Sequence, residues 1–220
     1  MKTAGILCCL VFCLLIGVPQ CRADNIISLC DSNPANLVAN CGFETGDFTG
    51  WTLAGNDVPI ELGTLYGVEG VDPVDGISPN SGDYQAYFAD LVADSITLSQ
   101  TISTVSGGEY EVSWYMAQDT APVSPYSNRF SASFGGASLL SASVVPVQGY
   151  TYYSFEILAP TSSSVLSLTM GNDLGEFLVD DLDVFAVVAT PEPATWTLAL
   201  AGILACMLSR RRMTRHAALR

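Results

Sequence analysis

The chain has 220 residues and a formal net charge of −14. Residues 24–190 carry 21 carboxylates and one basic residue, Arg129, so that stretch stands near −20. This balance argues against nucleic acid, whose phosphates are bound by Lys and Arg, and against docking on an anionic membrane surface. Two readings of the acid remain: a solvated surface that keeps the protein soluble, or carboxylates that hold a hard cation such as calcium.

At the N-terminus, Lys2 is followed by an apolar run from Ile6 to Val18 and a small residue at Ala23. This is the order of a secretory signal peptide over residues 1–23, cut after Ala23. The run is too short for a stable membrane span. A lipoprotein cut before Cys21 is the rival reading, but Pro19-Gln20 lacks the small residues expected ahead of a lipidated cysteine. Removal of the signal leaves Cys30, Cys41 and Cys206, and Cys206 lies in an apolar run near the C-terminus. Cys30 and Cys41 are then the pair available for a disulfide in an oxidising compartment. Such a bridge closes a loop of about 12 residues and stabilises by roughly 2–3 kcal/mol in the chain-entropy model. Two free thiols are the alternative; two cysteines without a histidine are too few for zinc.

Residues 24–188 form the body, and its apolar residues recur every second position. Tyr110, Val112, Trp114 and Met116 alternate with Glu111, Ser113 and Tyr115. The same period runs through Ile96, Leu98 and Ile102, through Tyr153, Phe155 and Ile157, and through Leu166, Leu168 and Met170. These are half-buried strands. Gly107-Gly108, Gly135-Gly136, Gly149, Pro160 and Gly171-Asn172-Asp173 punctuate them as turns. The pattern yields about nine to eleven short strands, and so an all-β fold, an antiparallel β-sandwich or jelly roll. Residues 63–82, with five glycines and two prolines, read as a long surface loop. In the last strand, simple alternation puts Asp180 on the face of Leu178, Leu182 and Val184. A carboxylate there needs backbone N–H donors or a cation, unless a bulge turns it outward.

The usual catalytic constellations are missing. The sole histidine, His216, lies near the C-terminus, and no nucleophile elbow, zinc-protease motif or phosphate loop occurs. A carboxylate pair for glycoside hydrolysis is not distinguished among so many acids. Sugar binding calls for exposed aromatic rings beside hydrogen-bonding groups. Trp51, Tyr66, Tyr115, Tyr126, Tyr150 and Tyr152 are the candidates. Trp51 follows a glycine at a strand start and is expected in the core. Tyr115 and Tyr152 alternate away from the apolar face and are the best placed.

The C-terminus reads Pro191-Glu192-Pro193, then an apolar run from Ala194 to Leu208, then Arg210, Arg211 and Arg212. The run is a short transmembrane helix of about 22 Å, marginal for a ~30 Å hydrocarbon core. The arginines act as a stop-transfer signal and place residues 214–220 in the cytoplasm. A plain anchor that is never cut is the alternative.

These three elements in this order resemble the PEP-CTERM sorting domain, here residues 189–213. The resemblance implies a Gram-negative host, recognition by an exosortase at Pro191, Glu192 and Pro193, and a transient stay in the inner membrane. It further implies release to the cell surface or to an exopolysaccharide matrix of a biofilm. The body resembles carbohydrate-binding modules with a galactose-binding-like jelly roll. The residues that carry this are Asn36 to Trp51 (with Asn40-Cys41-Gly42-Phe43-Glu44 at its centre), Ser81 to Phe88, and Asp180-Asp181-Leu182-Asp183-Val184. Cys41 stands where the family usually has glycine. The resemblance implies a structural calcium held by Glu44 and by Asp180 or Asp181. The expected function is that of a non-catalytic exported surface or matrix protein associated with exopolysaccharide. A glycan-specific binding module is the first alternative, and a glycosidase the second.

Overall fold

Alternating residues set the strands. In the computed structural model, residues 27–55, 65–73, 75–89, 95–125, 127–188 and 203 are described. The expected signal peptide, Pro191-Glu192-Pro193, the apolar run and Arg210–Arg212 lie outside them. Among the described residues no helix is long and apolar enough to cross a membrane.

The described residues form ten strands: β1 (Thr52–Ala54), β2 (Tyr66–Glu69), β3 (Gln85–Phe88), β4 (Ile96–Ser103), β5 (Glu109–Gln118), β6 (Asn128–Phe134), β7 (Ala137–Ala142), β8 (Gln148–Leu158), β9 (Ser163–Asn172) and β10 (Phe177–Ala186). They make two five-stranded sheets, the first in the order β1-β4-β9-β6-β7 and the second in the order β2-β3-β10-β5-β8. From β4 onward the chain crosses between the sheets at every connection but the β6–β7 hairpin, as in the expected jelly roll. β6 and β7 are joined by Gly135 and Gly136 alone, with φ of 58° and 84°. Two consecutive positive φ values are what a two-residue hairpin turn matching strand twist requires.

The inner faces meet in one apolar core. Trp114 is fully buried and stacks on Tyr153, Phe155 and Phe130 at centroid distances of 5.6, 5.5 and 6.0 Å. Tyr110, Val112, Met116, Ile96, Leu98, Ile102, Leu166, Leu168 and Met170 are buried there too, as their alternation predicts. Gln100 shares that face of β4, and its amide bonds both the N–H and the C=O of Ala39 at 2.8 and 3.0 Å. Trp51 lies in the core as expected, and its indole N–H donates to the carbonyl of Asn40 at 3.1 Å.

Two expectations need correction. The glycine-rich stretch 63–82 is not wholly loop, because Tyr66–Glu69 pairs with β3 from Tyr66↔Phe88 to Glu69↔Gln85. Its glycine serves the strand: a Cβ on Gly67 would come within 2.6 Å of the Tyr87 ring lying opposite. Asp180, in turn, does not share a face with Leu182 and Val184. Asp181 sits inside β10 with φ of 50°, a left-handed conformation that acts as a bulge. Phe177, Val179, Leu182 and Val184 therefore all point into the core, while Leu178 and Asp180 are buried outside it.

Candidate functional site

Outside the core, β5 and β8 present residues on the other side of the second sheet. Tyr115 of β5 lies opposite Tyr152 of β8 in register. Their ring centroids are 5.0 Å apart and tilted by 44°. The two tyrosines singled out by alternation thus form one aromatic pair. They border a depression of about 250 Å³ whose remaining walls are Ser113, Asp181 and Asp183, with Leu29 and Cys30 at one side. Tyr152 is 50% exposed and Tyr115 is partly buried.

Hydrogen bonds fix these walls. Glu111 Oε1 accepts from the Tyr152 hydroxyl at 3.1 Å and from Ser154 Oγ at 2.8 Å. Asp183 Oδ2 accepts from Asn33 Nδ2 at 2.7 Å, whereas its Oδ1 is covered and has no hydrogen-bond partner. Burial pushes the Asp183 carboxyl above the usual carboxylate range, aided by the charges of Glu111 and Asp181 and opposed by Asn33. Asp181 is fully engaged: it accepts from Asn80 Nδ2 and Ser81 Oγ at 2.7 Å and from Cys30 N at 3.2 Å.

The wall at Leu29 and Cys30 is held against β10. Cys30 is joined to Cys41, their Cα atoms 6.0 Å apart. Leu182 N donates to Cys41 O at 3.0 Å, and Leu37 N to Val184 O at 2.8 Å. Asn36 Oδ1 accepts from Val184 N at 3.0 Å. The segment after the expected signal peptide is thereby clasped onto the last strand.

Tyr150, another of the candidate aromatics, does not line the depression. From β8 its hydroxyl reaches Gln85 Oε1 on β3 at 2.6 Å, across β5 and β10. Burial and the carboxylates Asp180, Asp181, Glu69 and Glu176 push this phenol far above its ordinary range, so it stays protonated and donates. Tyr150 is thus a strut. Tyr66 packs against the core instead, beside Phe48. Tyr126 lies outside the described residues.

The carboxylates expected to hold calcium grip one loop. Glu44 accepts from Asp83 N at 3.0 Å and Tyr84 N at 3.4 Å, and a Cβ on Gly82 would fall 2.0 Å from its Oε1. Asp180 accepts from Ser81 N at 3.2 Å and from Asp181 N at 2.7 Å. Burial, then the adjacent Asp181, push Asp180 up to about 8. Glu44 is repelled by Asp83 and Asp31, a different set of neighbours. A hard cation needs several oxygens converging on one point. Glu44, Asp180 and Asp181 each face N–H or O–H donors of residues 80–84, so as placed they do not fit a shared calcium centre. Among the described residues, Glu69, Asp72 and Glu176 are the acids that do converge, with oxygens within 4.8 Å of one another. Burial and the charges of Asp72, Glu69 and Asp119 push Glu176 up to about 8.

Asp183, Glu111 and Ser113 were not singled out as site residues. The one signal for Asp183 is its i, i+2 spacing from Asp181 on a strand. Nothing local marks Leu29 and Cys30 as a wall, since they meet Asp181 across 151 residues.

Comparison with known proteins bears on the chain's two parts separately. Residues 189–212 match the PEP-CTERM protein-sorting motif. That motif marks an exported protein that an exosortase processes at the membrane and that is displayed at the surface. No curated protein sequence matches the chain. The body is similar to solved carbohydrate-binding modules. TmCBM61, in complex with β-1,4-galactotriose, is 23% identical, with 69% of this chain and 99% of that one covered at a TM-score of 0.48. A family 16 carbohydrate-binding module is 13% identical, with 68% and 99% covered at 0.45. A family 35 module from Clostridium thermocellum is 13% identical, with 64% and 95% covered at 0.43. These likenesses concern the fold.

Proposed function

We propose that the body is a non-catalytic glycan-binding domain, exported and sorted through its C-terminal tail, that holds exopolysaccharide at the cell surface. The depression at Tyr115 and Tyr152 carries this reading. Sugar rings offer an apolar C–H face and a fringe of hydroxyls. Two adjacent phenol rings suit the first, and the carboxylates of Asp183 and Glu111 with the Ser113 hydroxyl suit the second. The volume of about 250 Å³ matches one or two rings rather than a long chain. A binding role is favoured over hydrolysis because Asp181, one of the two β10 carboxylates lining the depression, has both oxygens taken by donors.

A glycan array with the folded body tests this, followed by titration of the best ligand. Tyr115→Ala or Tyr152→Ala should each weaken binding about tenfold, the worth of one ring contact. A flat array, or unchanged binding in both variants, would sink the proposal. A panel of chromogenic glycosides should show no turnover. Mass spectrometry of the mature protein from native cells tests the sorting step, and a chain still ending at Arg220 would contradict it.

A further inference from the structure

The depression has a charge as well as a shape, and the charge narrows the ligand class. Asp181 and Asp183 line it, Glu111 holds the Tyr152 hydroxyl, and among the described residues no lysine, arginine or histidine lines it. The single basic residue between 24 and 190, Arg129, stands on β6 of the opposite sheet. Asp181 and Glu111 are held by neutral donors, which stabilise a carboxylate without cancelling its charge. Asp183 lines the depression with one oxygen held by the neutral Asn33 amide and the other covered. The site is therefore a patch of concentrated negative potential with two aromatic faces.

We infer that the glycan it takes carries free amines, and that it is a hexosamine polymer at least partly lacking N-acetyl groups. The inference rests on the glycan-binding reading above and adds the charge of the ligand to it. An ammonium group supplies what the walls lack, a charged donor for carboxylates. Set over a tyrosine ring it gains a cation–π attraction as well. The field of the body, near −20 over residues 24–190, draws such a polymer toward the site. A uronate chain meets the reverse at each of these steps. An N-acetylated or neutral sugar keeps the ring stacking and loses the charge terms.

The test is calorimetry of the full mature chain at low and at physiological ionic strength. Four probes serve: an oligomer of glucosamine, the same oligomer fully N-acetylated, an oligogalacturonate of equal length, and oligolysine. The glucosamine oligomer should bind at least about tenfold tighter than its acetylated form, the worth of one charge-assisted hydrogen bond. The oligogalacturonate should not bind. Asp183→Asn keeps the bond with Asn33 within reach and should bring the two hexosamine oligomers to within about twofold of each other. Glu111→Gln should narrow the gap in the same direction, which guards against a folding defect in the first variant. Tyr115→Ala should weaken both oligosaccharides and leave oligolysine unaffected. Equal or tighter binding of the acetylated oligomer or of the uronate would overturn the inference and leave glycan binding standing. Oligolysine binding as tightly as the glucosamine oligomer, with no dependence on Tyr115, would also overturn it, since the acidic surface alone would then be responsible. No binding of any sugar would remove the glycan reading itself.

Discussion

The outward faces of the two sheets are built by the same alternation and differ in what fills it. On the first sheet, a row of hydroxyls crosses all five strands: Thr52 pairs with Ser99, Ser99 with Ser167, Ser167 with Ser133, and Ser133 with Ser138. A second row joins Thr97, Thr169, Ser131 and Ser141, and there the Thr97 and Thr169 hydroxyls are 2.8 Å apart. Such groups both donate and accept, so a neighbour can answer a neighbour, as Thr97 and Thr169 do. On the second sheet the corresponding positions hold Tyr115, Tyr152, Asp180, Asp181 and Asp183. Glu111 finds donors on its own face, in the Tyr152 and Ser154 hydroxyls, but Asp180, Asp181 and Asp183 draw on other segments: on Asn33, on Cys30, on residues 80–84 and, on the proposed reading, on a ligand. One face is lined with groups that donate and accept, the other with buried acceptors that remote segments must meet.

Four experiments would break or sharpen that contrast. The largest effect should come from the core that both faces share. Trp114→Ala should cost about 3–5 kcal/mol in denaturant unfolding and abolish ligand binding with the fold. A smaller loss tied to the second sheet would show that the sheets are stabilised separately. Next is the disulfide. Replacing Cys30 and Cys41 by Ser should cost roughly 2–3 kcal/mol. It should also weaken binding, because Cys30 is a wall of the depression; intact binding in a destabilised protein would remove that wall from the site.

Acidity comes third. Glu176 has its carboxyl pushed from the ordinary glutamate value of 4.5 up to about 8, so the folded state holds a proton that the unfolded chain has released. Between about 4.5 and 8 the native state binds more protons, and stability must fall as pH rises through that window. Thermal melts should therefore show a higher midpoint near the acid end of it than near pH 8. Asp180, also pushed up to about 8, contributes in the same window, so Glu176→Gln should make the profile shallower without flattening it and raise the midpoint at the alkaline end; a profile as steep as the parent's would remove Glu176 as a cause. The smallest effect expected is that of calcium. Because Glu44, Asp180 and Asp181 already face donors, chelation should leave the midpoint unmoved. A rise with calcium that Glu44→Gln erases would show that the grip on residues 80–84 opens to admit an ion.

The legible part of the molecule is the part governed by period. Ile96, Leu98 and Ile102, or Leu166, Leu168 and Met170, declare their faces with no help from other segments. Tyr115 and Tyr152 were legible for the same reason, since outward-pointing aromatics stand out against Ser and Glu. What escaped depended on backbone angles or on distance along the chain. Gly67 looks like a loop residue until the Tyr87 ring is seen to need its space. Asp180 is misplaced by alternation because one left-handed residue, Asp181, shifts the phase of all that follows. Asp183 gains meaning only when Cys30 and Leu29 are brought beside it from the far end of the chain. In each case a contact between remote segments overrides a local pattern.

The clasp between the first and last segments of the body also sets an order of events. Leu37 and Cys41 complete their backbone bonds only with Val184 and Leu182. Contacts so distant along a chain form late, because the intervening loop must close first. A body emerging N-terminus first therefore holds its leading segment unfinished until β10 follows. Val184 precedes Pro191 by only a few residues, so the strand that completes the fold is also the one nearest the sorting motif, and the domain cannot close until nearly the whole chain has been made.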